Sequence, residues 1–181
     1  MSGRLTSLVL IAVAAATLSG CVYYNTFYHA KAAAREAAVL REERPPDTDP
    51  TVRELDLLER AIEKSGRVLR LHPESGWADD ALLLMGQSLY YKGQYEVAEE
   101  RLTEFLALYP DSELRPDAEY VLAGALLAGG NAVSAEELLR EIAYAEPPVD
   151  YSDDALLMIG KARQERARHA APSPKDVVPT T

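Results

Sequence analysis

A spacing of 37 residues runs through the chain from its middle to its C-terminal part. It relates Pro73, Pro110 and Pro147; Ala61, Ala98 and Ala135; and Asp80-Ala81, Asp117-Ala118 and Asp154-Ala155. Ser75 pairs with Ser112, Gly93 with Gly130, and Leu102 with Leu139 at the same interval. At twice the interval the run from Asp79 to Leu83 returns from Asp153 to Leu157, and Gly86 returns as Gly160. A shared spacing without gaps means that one supersecondary unit recurs. Such units bury a continuous core only by stacking on their neighbours.

Each period reads as two helices. Ser75 is placed to cap the first, because its hydroxyl can accept an otherwise unpaired backbone N–H. Asp79 and Asp80 then lie in the first turn, where the helix dipole favours negative charge. Leu82, Met85 and Leu89 follow at helical spacing, and Gly93 ends the helix, since glycine tolerates the left-handed cap. Tyr95, Ala98, Leu102, Phe105 and Leu106 mark the second helix, and residues 109–112 turn into the next unit. Small residues such as Gly86 and Ala98 are expected where the two helices cross. An earlier second helix fits the register from Leu55 to Leu71, through Ala61, Val68 and Leu69. An alanine-rich helix from Tyr24 to about Arg41 is set apart by the proline-rich loop at residues 45–50. A last helix, from about Ser152 to His169, turns polar at residues 163–166, as the end of a stacked array requires.

This pattern resembles the tetratricopeptide repeat. With Asp79 counted first, Gly86, Ala98, Leu102 and Pro110 fall on that family's conserved-type positions, and the next unit supplies Ala123, Ala135, Leu139 and Pro147. The interval is longer than the family's usual 34 residues. With its tyrosine-proline-acid-serine turn it is similar to the periplasmic branch that includes the outer-membrane assembly lipoprotein BamD and the Tol–Pal-associated protein CpoB. The resemblance implies an all-α fold, a short right-handed helix-hairpin solenoid with an extra N-terminal helix. It also implies that first helices line a partner-binding groove, which places Leu83, Gln87, Tyr90 and Tyr91 there, with Asp117, Tyr120, Gly124 and Leu127 from the next unit. Tyrosine is enriched among residues that dominate binding energy. The other reading is that Tyr90 and Tyr120 pack against neighbouring helices.

The N-terminus is organised differently. Arg4 is followed by an apolar run from Leu8 to Leu18, shorter than the roughly 20 residues that span a bilayer. A charged start, a short apolar core and a small-residue exit form the signal-peptide pattern. Leu18-Ser19-Gly20-Cys21 resembles a bacterial lipobox, with cleavage between Gly20 and Cys21 and palmitate-type acylation of Cys21. Cys21 is also the single cysteine, so it has no internal disulfide partner. Val22 in place of aspartate points, under the enteric sorting rule, to the periplasmic face of the outer membrane. The organisation expected is a leader at 1–20, a lipidated segment with one helix and the proline-rich loop at 21–50, a repeat domain at 51–169, and a disordered tail at 170–181. Tyr23, Tyr24, Phe27 and Tyr28 form an aromatic group that either meets lipid headgroups or packs under the first repeat.

No constellation for chemistry is evident. The three histidines, His29, His72 and His169, lack partners at metal-ligand spacing. The paired aspartates are explained by helix N-terminal electrostatics. Acidic residues outnumber basic ones 29 to 19, which argues against nucleic acid, a ligand that needs a basic face. The expectation is a non-enzymatic adaptor with protein partners in the envelope, no metal, no cofactor beyond the lipid on Cys21 and no small-molecule substrate. It would serve either a BamD-like or a CpoB-like role. An envelope hydrolase is the alternative from another class, and a cleft gathering two carboxylates, or joining His29 to a carboxylate, is its structural signature.

Overall fold

The computed structural model describes residues 25–45, 48–146 and 149–170. Residues 1–24, 46–47, 147–148 and 171–181 lie outside the described residues, and with them the expected leader, Gly20, Cys21, Tyr23, Tyr24 and Pro147. Among the described residues there are seven helices and no strand. They are α1 (residues 25–43), α2 (Val52–Leu71), α3 (Ala78–Tyr91), α4 (Tyr95–Leu108), α5 (Arg115–Ala128), α6 (Ala132–Ala143) and α7 (Ser152–Ala170). The chain divides into two compact units, one ending at Lys92 and the other beginning at Gly93.

In the first unit α2 packs on α3. Its start is set by Thr51, whose hydroxyl accepts from the backbone N–H of Glu54 at 3.1 Å. This is the N-cap bond of a threonine-x-x-glutamate sequence. The Glu54 side chain is fully buried and meets Arg44 at 3.4 Å. The stretch α1, set apart by the sequence reading, belongs to this unit. Phe27 and Ala30 cluster with Val68 and Ala81, while Ala33 and Ala37 cluster with Leu57, Leu58 and Ala61. Alanine at three- and four-residue steps gives α1 a flat stripe that lets the backbones approach closely. Phe27 is therefore core, and Tyr28 is exposed.

In the second unit α4 packs on α5, α5 on α6 and α6 on α7. Ala123, Leu139, Ile142, Ala155 and Ile159 form a core cluster there. A fully buried leucine, isoleucine or phenylalanine contributes about 1.5–3 kcal/mol each. Gly93 and Gly130 hold φ of 81° and 90°, the left-handed geometry that ends α3 and α5.

The 37-residue interval recurs as burial and as hydrogen bonds. Ala61, Ala98 and Ala135 are fully buried, as are Ala81, Ala118 and Ala155. The turns before α3, α5 and α7 close with backbone bonds of 3.1 Å each, from Ala78 to Ser75, Arg115 to Ser112 and Ser152 to Val149. One detail differs from expectation. Ser75 does not cap α3. Its hydroxyl accepts from the N–H of Trp77 at 3.3 Å, within the preceding turn, and Ser112 does the same for Leu114 at 3.2 Å. The helices start later because the turn itself uses the serine.

Candidate functional site

In the first unit a cleft of about 320 Å³ lies between α1 and α3. One wall is α1, presenting Lys31, Arg35 and Arg41. Opposite stand Gln87, Ser88 and Tyr91 from α3, with Ala34, Ala38, Leu58 and Leu84 supplying the apolar lining. The Arg41 guanidinium lies 3.6 Å from the centroid of the Tyr91 ring, a cation–π stack. Tyr90 and Tyr91 are themselves in tilted ring contact at 5.1 Å. The Ser88 hydroxyl is turned inward and donates to the carbonyl of Leu84 at 2.7 Å. Asp80, near the start of α3, has its carboxyl pushed above its ordinary value by burial, with the Lys31 charge opposing.

The expected groove residues do not stay together, and Tyr90 is half-buried against Tyr91. Gln87 and Tyr91 line this cleft. Leu83 is buried in the core at 6% exposure, so it contributes packing and no open surface. Asp117 and Tyr120 are both occupied within the second unit. The Tyr151 hydroxyl donates to Asp117 Oδ1, and its ring stacks on Tyr120 at 4.5 Å and 11°. Hydrogen bonding to Asp117, then burial, pushes the Tyr151 phenol well above its usual range. Gly124 is buried and Leu127 half-buried on α5. Of the residues expected to govern packing, Gly86, Ala98, Leu102, Ala123, Ala135 and Leu139 are all buried. Pro110 is exposed in its turn.

Sequence reasoning missed two features. The basic wall of α1 is one, although Lys31 and Arg35 stand at a visible four-residue step. The second is Glu136 on α6, 2% exposed and bonded by Arg140 at 2.7 Å, Arg163 at 2.8 Å and Arg166. Hydrogen bonds from Arg163 and Arg166 hold its carboxyl below the ordinary 4.5. The polar segment of α7 is thus clasped to α6.

A second cleft, of about 290 Å³, lies between α1 and α2 and includes both His29 and Glu36. These two residues are seven apart on one helix, or about 10 Å along its axis. That is beyond the reach of a general acid–base pair, and Glu36 is engaged by Arg53. Among the described residues no three potential metal ligands gather, and no helix is long and apolar enough to cross a membrane.

Helix hairpins repeating at a fixed interval define an all-α repeat protein. Residues 89–159 match the tetratricopeptide repeat family, and this stretch takes in the end of α3, all of α4, α5 and α6, and the first part of α7. Over that span the chain is similar to the tetratricopeptide repeat, a fold suited to protein–protein interaction. No curated protein matches the chain.

Proposed function

We propose that the protein is a lipid-anchored adaptor of the cell envelope that holds another protein against its repeats and performs no chemistry. The observation that carries the reading is the α1–α3 cleft, which joins an apolar lining to side chains able to bond a peptide. A tetratricopeptide match over residues 89–159, almost all of them in the second unit, supports a binding role for the repeats. The lipobox-like run ending at Cys21 supports export and acylation. Two or more acyl chains hold a protein stably at a membrane, whereas one does so marginally. Three residues lie between Cys21 and the first described residue of α1, and an extended chain covers at most about 3.6 Å per residue. The cleft would stay close to the bilayer. A BamD-like place in outer-membrane protein assembly is the pathway we favour, at the periplasmic face of the outer membrane.

The test is fractionation of cells expressing the full chain or its Cys21→Ser variant. The wild type is expected in the outer-membrane pellet and the variant in the soluble periplasmic fraction. Detergent pull-down of the wild type is then expected to recover the outer-membrane assembly barrel. Recovery of Tol–Pal or cell-wall synthesis proteins in its place would favour the CpoB-like reading. A variant that still pellets after salt washing would remove the lipid anchor from the account.

A further inference from the structure

We propose that the α1–α3 cleft receives an acidic, extended segment of the partner protein. This rests on the adaptor reading and names its ligand class. The chain is acidic overall, with 29 carboxylate against 19 basic side chains, so three bases on one cleft lined by no carboxylate are unexpected. Elsewhere, bases are commonly paired: Arg53 with Glu36, Lys92 with Glu59, Arg115 with Glu119, and Arg140, Arg163 and Arg166 with Glu136. Lys31, Arg35 and Arg41 make no ion pair among the described residues, and no carboxylate lines the cleft they share. Lys31 is the least free of the three, because its ammonium sits 5.5 Å from the centroid of the Phe27 ring and Asp80 lies close enough to feel its charge.

The geometry sets the length of the ligand. Lys31 and Arg41 are ten residues apart on α1, about 15 Å along the axis at 1.5 Å per residue. An extended chain rising about 3.3 Å per residue covers that distance in about five residues. Stacking on Tyr91 uses the face of the Arg41 guanidinium and leaves its N–H edge for a carboxylate, the bidentate geometry that arginine favours. Ala34, Ala38, Leu58 and Leu84 give apolar side chains of the same segment a place between the charges. An anionic lipid layer is the poorer fit, because headgroups meet cations on an outer surface and these cations line a recess.

The test uses the full chain in detergent micelles and a fluorescein-labelled pentapeptide of alternating glutamate and leucine, with its glutamine counterpart as control. The acidic peptide should bind, more weakly as salt is raised, and the control about tenfold or more weaker. The combined Lys31→Gln, Arg35→Gln and Arg41→Gln variant should lose binding by a similar factor while its circular dichroism is unchanged. If that variant does not fold, Arg35→Gln alone, at an exposed position, should weaken binding severalfold. Equal binding by wild type and variants, no binding of the acidic peptide, or phosphatidylglycerol vesicles captured through the same residues in preference to it would each overturn the proposal. An envelope partner that is recovered equally by wild type and the triple variant would overturn this ligand class and leave the adaptor reading standing.

Discussion

Ser65 occupies the register position of Leu102 and Leu139, and all three are fully buried. Unlike Ser88, which donates to the carbonyl one turn back, Ser65 has a buried hydroxyl without a hydrogen-bond partner. Replacing it by alanine removes that group and leaves the Cβ in place. An unsatisfied buried polar group costs about 1–3 kcal/mol, and alanine adds a few tenths more through helix propensity. The expected gain is about 1–3 kcal/mol. For a chain of this size 1 kcal/mol moves Tm by about 2–4 °C, so Ser65→Ala should raise Tm by about 2–12 °C. The equivalent substitutions Leu102→Ala and Leu139→Ala should do the opposite. Each opens a cavity and should cost about 2–5 kcal/mol. Thermal melts followed by circular dichroism at 222 nm read all three. A Tm that falls in Ser65→Ala would refute the reasoning, because it would mean that the hydroxyl has a partner in solution.

Two further predictions concern the clasp and the stack in the second unit. Glu136→Gln should lower Tm at neutral pH and flatten the acid limb of the Tm–pH curve. Because the folded carboxyl titrates below its ordinary 4.5, its contribution is complete above that pH and is lost as pH falls through the folded value. A wild-type acid limb that persists unchanged in the variant would place the pH dependence elsewhere. Tyr151→Phe should cost about 1–2 kcal/mol, toward the low end of the roughly 1.5–3 kcal/mol for a hydrogen bond to a charged group because the site is only half-buried. Since the phenol is raised above its ordinary 10, the bond is kept below that pH and lost only as pH rises through the folded value. Absorbance titration near 295 nm should show one late-ionising tyrosine fewer in the variant.

Much of the fold is legible in the sequence because helix packing constrains small residues tightly. Alanine at 61, 98 and 135 and at 81, 118 and 155 marks places where no larger side chain fits, and all six are fully buried. The glycine stops at 93 and 130 were legible for the same kind of reason, a positive φ. What escaped is what repeats in role and not in residue type. Trp77, Leu114 and Tyr151 share one register position just before a first helix. Trp77 packs on Phe27 of α1 at 5.6 Å, and Tyr151 packs on Tyr120 of α5 at 4.5 Å. Seeing that Tyr151 would cover Tyr120 and Asp117 required recognising three dissimilar residues as equivalents. The basic wall of α1 was hidden differently. Net charge averages over the chain, and the acidic total gave no hint that three bases would converge on one cleft. Glu136 was visible only as the first half of a four-residue pair with Arg140, because Arg163 and Arg166 reach it from another helix.

The central claim is that the cleft between α1 and α3 is where a partner protein sits. It is tested most directly by placing a photo-crosslinking amino acid at Gln87, which lines the cleft, and at Arg67, which is exposed on α2 outside it. Irradiation of intact cells should give a discrete adduct from position 87 that is missing from position 67 and that maps to an acidic segment of one envelope protein. The same adducts from both positions, or an adduct at 67 alone, would contradict the account.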